Sequence, residues 1–155
     1  MKITFFQKDG TFNEDAIHAG VYIIWVGLTD GKGKDKKDKD KDGDYFPLYV
    51  GESYSMAIRC GHHLYEVFHT DPAYFGLTSE HLKNDKLEMI VEIYEPLSNE
   101  GMANGERDCK LKKTEKKVIE KKKPLSQSGK SDWLSEERAE KVGKAIEDLL
   151  KKYES

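Results

Sequence analysis

A chain of 155 residues, 37% hydrophobic and 35% charged, is long enough for one domain with a real core, and its periodic apolar runs exclude a wholly disordered protein. The net charge of −3 does not announce a nucleic-acid binder, although local basic patches, not net charge, do the binding. The only two cysteines, Cys60 and Cys109, make neither a zinc spacing nor a disulfide framework, and a reduced compartment follows.

Residues 1–6, MKITFF, predict a short strand, and Asn13-Glu14-Asp15 predicts the opening of a short helical turn. Gly20 to Leu28, GVYIIWVGL, is β-branched and aromatic and predicts a buried strand. Asp30 to Asp44 carries six Lys, six Asp and three Gly. It has nothing to bury, so it predicts a flexible insert. Tyr45 to Val50 predicts a second strand, making a hairpin with a lengthened loop, which costs little because closure entropy grows slowly with length. Ser55 to His69 predicts a helix with Ala57, Cys60, Leu64 and Phe68 on one side and Arg59 and His63 on another.

Leu87 to Tyr94 predicts a third main strand. A long helix is predicted within Asn104 to Lys122, stopped by Pro124. The linker SQSGKSD leads to a last helix from about Ser135. Ser135 would cap it, and Val142, Ala145, Ile146, Leu149, Leu150 and Tyr153 form its apolar stripe. The expected fold is α+β, about three antiparallel strands flanked by helices. Residues 1–130 would form the domain, with the insert at 30–44. Residues 131–155 would form a helix packed on the domain or at a homodimer interface. No run approaches the ~18 apolar residues of a membrane helix, and the N-terminus lacks a signal-peptide core, so a cytoplasmic protein without a membrane partner is expected.

Two parses compete between Lys34 and Ser53. Asp38, Asp40, Asp42 and Gly43 match the first half of an EF-hand loop. The second half fails, because Tyr49 stands where a bidentate Glu is required and Pro47 intervenes. The flanks read as strands, and the interleaved lysines repel a dication. A solvated charged loop is the better account.

The other parse joins Gly20-Val21-Tyr22 to Tyr49-Val50-Gly51. Arg59 follows ten residues after Tyr49, His63 one helical turn later, and Glu115 stands nine residues before Pro124. In this order the constellation resembles the GIY-YIG nuclease domain over roughly residues 20–127. The resemblance implies a Mg²⁺ or Mn²⁺ ion on Glu115, Arg59 on the scissile phosphate, Tyr22 taking a proton from water with His63 assisting, and Tyr49 lining the pocket. Gly20 and Gly51 would let the backbone turn or pass close to substrate. The ordinary alternatives are strand aromatics for the tyrosines and a surface histidine for His63.

Helical spacing bears on Glu115 independently. It falls on the stripe of Leu111, Val118 and Ile119, where a carboxylate is costly unless paired, for instance with Arg59, or bound to metal. The segment from Lys110 to Lys123 holds eight lysines, of which Lys112, Lys113, Lys116 and Lys117 would form a DNA phosphate track. Three departures from the family stand out: the long insert between the tyrosines, Gln127 in place of a terminal Asn, and Glu52 after Tyr-Val-Gly where some relatives carry Lys. The expected function is a metal-dependent endonuclease acting on DNA. The alternatives are a nucleic-acid or protein binding module on the same fold, and a calcium-regulated protein using the insert.

Overall fold

The computed structural model describes residues 1–29, 43–97, 103–127 and 132–154. The Asp/Lys insert, and with it the calcium reading, lies outside the described residues except for Gly43 and Asp44. The expected boundary at residue 130 also lies outside them.

Strand β1 (Lys2–Phe5) leads into a small hairpin, β2 (Gln7–Lys8) and β3 (Thr11–Phe12). Asp9 and Gly10 turn it with φ of 52° and 80°, the left-handed pair that matches strand twist. A 3₁₀ turn at Glu14–Ile17 follows, where the Asn13 side chain accepts from the Asp15 N–H at 3.1 Å. β4 (Gly20–Leu28) and β5 (Tyr45–Ser53) form the expected antiparallel hairpin. Helix α1 (Met56–Tyr65) comes next. Short α2 (Ser79–Lys83) precedes β6 (Leu87–Pro96). Helices α3 (Asn104–Lys122) and α4 (Asp132–Glu154) complete the order.

The sheet order is β1-β6-β4-β5. It has four strands, not three, and it is mixed, because β1 pairs parallel to β6 while the other pairs are antiparallel. β4 is central and all nine of its residues are buried, which is why its sequence is apolar without alternation. Tyr22, Ile24, Val26 and Leu28 face a core shared with α1 and with Val142, Ile146 and Leu149 of α4. Val21, Ile23 and Trp25 face the other way, against Val118 and Ile119 of α3. α4 is therefore part of the main core. Among the described residues no helix is long and apolar enough to cross a membrane.

Three boundaries differ from expectation. The helix predicted to reach His69 ends at Tyr65, and Glu66–Thr70 widens into a π turn closed by Asp71 N–H on Glu66 C=O at 2.8 Å. α4 starts at Asp132, so Ser135 lies within its first turn and is not its cap. α3 ends as predicted at Lys122, with Lys123 at φ 51°, a left-handed stop just before Pro124.

Candidate active site

The site forms along β5, the outer strand of the sheet. A bulge there pairs Ile24 with Tyr49 but Trp25 with Pro47, so Leu48 is an extra residue. The bulge resets the alternation and turns both Leu48 and Tyr49 toward the Tyr22 side of the sheet. On both sides of Tyr49 the edge is closed by the chain after α3. Leu125 N–H donates to Pro47 C=O at 3.1 Å, Ser126 N–H to Leu48 C=O at 2.7 Å, and Val50 N–H to Gln127 Oε1 at 3.0 Å. Gln127 thus holds the turn that anchors α3 to the site.

On the Tyr22 side, α1 buries Met56, Cys60 and His63. His63 is fully buried, not a surface histidine. Its Nε2 lies 2.8 Å from the Tyr22 hydroxyl and its Nδ1 lies 3.2 Å from the Tyr74 hydroxyl. Either tautomer satisfies both ring nitrogens, because each hydroxyl can donate or accept. Tyr22 is itself fully buried, whereas Tyr74 is 36% exposed. A hydrogen-bonded chain therefore runs from the protein interior to solvent. Tyr49 packs edge-on against His63 with ring centroids 5.0 Å apart and lies against Phe75 at 5.1 Å.

Burial is the main electrostatic cause here. It pushes the Tyr22 phenol well above its ordinary value, with the neighbouring Arg59 guanidinium working in the opposite direction. Tyr49 is pushed up to about 12, first by burial and then by the Glu115 charge. His63 is lowered to about 4, by burial and then by Arg59, so it is neutral at physiological pH. The unfolded chain titrates this histidine near ~6.5. Between those values the folded state binds fewer protons than the unfolded state. The stability linked to His63 is thus complete above about pH 6.5 and is lost as pH falls toward 4, by roughly 3 kcal/mol. Urea midpoints from pH 7.5 to 4.5 should fall more steeply for wild type than for His63→Gln. Parallel curves would contradict this assignment.

Glu115 approaches the same edge from the opposite face of the sheet. It is half-buried beside Leu111 and Val118. Burial raises its carboxyl, and the Glu52 carboxylate raises it further, while the Glu52 backbone N–H and Lys112 partly offset both. Among the described residues Glu115 makes no ion pair with Arg59; its charged neighbours are Glu52 and Lys112. Tyr22, Tyr49, Arg59, His63 and Glu115, which span 94 positions of sequence, therefore meet at one strand edge.

The two motif glycines leave room for packed neighbours. A Cβ on Gly51 would run into the Tyr22 hydroxyl and lie 2.5 Å from Tyr22 Cζ and 2.9 Å from Tyr49 Cε1. A Cβ on Gly20 would lie 2.6 Å from the Glu95 carbonyl oxygen and 2.7 Å from Met56 Cε. Gly51→Ala should cost about 1–3 kcal/mol in chemical denaturation, the usual range for overpacking. It should also displace the Tyr22 ring, read as a changed ultraviolet tyrosine signal. A variant of wild-type stability and spectrum would show that the ring is not clamped there.

The predicted lysine track divides. Lys113 and Lys117 line a groove of about 840 Å³ with Lys110, Lys121 and Tyr94. Lys112 sits beside Glu115, and exposed Lys116 lines neither feature. This groove lacks the catalytic candidates. Tyr49 and Arg59 instead line a smaller cleft of about 430 Å³ with Tyr74, Phe75, Ser126 and Arg138. Sequence reasoning missed Tyr74 and Arg138. Tyr74 lies in a 3₁₀ turn between Pro72 and Gly76, and Arg138 lies on α4, outside every motif.

No protein-family model, curated protein or solved structure matches the chain. The geometry of the site is what a functional reading has to rest on.

Proposed function

We propose that the chain is a metal-dependent endonuclease of the GIY-YIG type that hydrolyses phosphodiester bonds in DNA. One observation carries the proposal: the buried Tyr22 hydroxyl is hydrogen-bonded to a neutral histidine, beside an arginine, and a half-buried carboxylate faces the same strand edge.

Hydrolysis needs a base for the attacking water and stabilisation of charge on the phosphoryl group. Tyr22 is poorly suited to rest as a phenolate, because burial disfavours its charged form. It suits a shuttle better. Its oxygen accepts the water proton as its own proton passes to His63 Nε2, and His63 Nδ1 passes a proton on to Tyr74. His63 is too weak a base to store that proton, so the half-exposed Tyr74 hydroxyl delivers it to solvent. Arg59 is exposed and has donors enough to fork onto a phosphate while limiting negative charge on Tyr22. Tyr49 forms a wall of the cleft that orients the water and the phosphate.

The donor set fits a hydrated hard cation. Glu115 and Glu52 stand close enough for one to raise the other's carboxyl, a repulsion that a dication relieves. Among the described residues no three His, Cys, Asp or Glu cluster as ligands, and Mg²⁺ needs only one or two carboxylates because it retains several waters. Glu115, with Glu52 beside it, would hold Mg²⁺ or Mn²⁺, which supplies Lewis-acid stabilisation of the leaving oxygen when bound.

Incubation of wild-type protein with plasmid, branched and single-stranded DNA plus Mg²⁺ or Mn²⁺ tests the proposal, and cleavage of at least one substrate is expected. A second reading, a binding module that does not cut, is favoured by Glu52, whose charge opposes a phosphate at the site. Tight DNA binding that survives chelation, with no cleavage across the panel, would replace the nuclease reading by that one.

A further inference from the structure

The cleft of about 430 Å³ beside Arg59 is large enough for a single nucleotide unit. One wall comes from α4, which carries none of the motif residues. Arg138 Nη1 donates to the Tyr74 C=O at 2.8 Å. A guanidinium has five N–H donors, and this contact uses one of them. Its stem packs against Gly76, where a Cβ would lie 3.1 Å from Arg138 Cγ, so the side chain is braced in place. Gly76 has φ 74°, a conformation in which a Cβ is strained. Arg138 and Arg59 thus both face the cleft.

A second observation points to a ligand. Ser126 is 1% exposed and lines this cleft, and its Oγ has no hydrogen-bond partner among the described residues. A buried hydroxyl without a partner is costly. Its backbone is fixed by the bond to Leu48, which keeps the residue at the cleft wall. Asp71, the acidic residue of the cleft, is engaged in capping the Ala73 N–H at 2.9 Å. Its carboxylate keeps its charge, and against it stand the two guanidiniums of Arg59 and Arg138, with the Ser126 hydroxyl and the exposed ring of Tyr74.

We infer that this cleft is a subsite for an unpaired nucleotide adjoining the scissile phosphate. Arg138 and Ser126 Oγ bind its phosphate, and its base lies against Tyr74. The inference rests on the nuclease reading for the word scissile, but the binding site stands or falls separately. It assigns α4 to the substrate site, and it assigns the enzyme a preference for single-stranded, flap or branched DNA over continuous duplex, since a stacked, paired base does not enter a cleft of this size.

The test uses the full chain and thymidine 3′,5′-bisphosphate, titrated calorimetrically into wild type, Ser126→Ala and Arg138→Gln. Wild type should bind, and each variant should bind about tenfold more weakly, the usual effect of one lost bond to a charged group. Ser126→Ala removes a hydroxyl with no partner among the described residues, so its thermal midpoint should equal or exceed that of wild type; a purely structural serine would lower it. Should Arg138→Gln unfold, Ser126→Ala decides alone. Absence of binding to wild type, or unchanged affinity in Ser126→Ala, overturns the subsite. Binding that depends on both residues in a protein that cuts no DNA retains the subsite and overturns the nuclease reading. Cleavage with variant-independent binding does the reverse.

Discussion

Glu115→Gln should lower DNA cleavage by about 10³-fold or more, the scale of losing a principal charge-stabilising group, and the folded protein should be as stable as wild type or more so. The two halves of this expectation come from the same geometry. Burial and the Glu52 carboxylate raise the Glu115 carboxyl above its unfolded value. For an acid with a raised folded pKa, the folded state binds more protons, and stability falls as pH rises through that window. At neutral pH the ionised carboxylate therefore burdens the fold, and a neutral amide of the same shape relieves the burden. A carboxylate retained for a structural ion pair behaves in the opposite way, because its removal strands a partner. Added Mg²⁺ should raise the thermal midpoint of wild type, which gains a ligand in the folded state alone, and should leave that of Glu115→Gln unchanged. A variant that loses stability in step with activity would return Glu115 to a structural role.

Tyr22→Phe should cost about 10²- to 10⁴-fold in kcat, the range for removing a positioned proton-transfer group, with little change in KM. The ring fills the same space against Gly51, so packing is kept. His63 Nε2, fully buried, loses its partner at 2.8 Å, which should cost about 1–3 kcal/mol of stability. Tyr74→Phe interrupts the same chain at its solvent end, leaving Tyr22 and His63 joined. Its cleavage rate should fall less, and the loss should be partly restored by small proton carriers such as imidazole. Single-turnover rates for the two variants check this. Equal activity of Tyr22→Phe and wild type would remove the relay from the mechanism.

The parts of the fold that were legible share one property: their signal is local. β4 declares itself by nine apolar or small residues in a row, and the end of α3 by Pro124 just beyond it. The parallel pairing of β1 with β6 joins Lys2 to Glu88, and a parallel pair so distant in sequence leaves no turn signature to read. His63 was open to misreading because Ala57, Cys60, Leu64 and Phe68 also fit a helical face. The helix instead turns Met56, Cys60 and His63 inward, and Val67 continues that face in the π turn. Gly51 reads in sequence as a place where the backbone turns or passes close to substrate, and its packing against the cross-strand neighbour Tyr22 shows only in the fold. Tyr74 and Arg138 are ordinary residues in their own segments. They acquire meaning only when the 3₁₀ turn and α4 are packed together through the bond from Arg138 to the Tyr74 carbonyl.

The most direct measurement of the central claim is plasmid nicking by wild type and Glu115→Gln, purified in parallel and shown to be folded, with Mg²⁺ and with excess chelator. A trace contaminating nuclease would cut equally in both preparations, so the comparison isolates this chain. Nicking by wild type with Mg²⁺, abolished by chelator and absent from Glu115→Gln, is the predicted result. Equal nicking by the two proteins, or nicking by wild type that persists in chelator, would contradict a metal-dependent nuclease centred on Glu115.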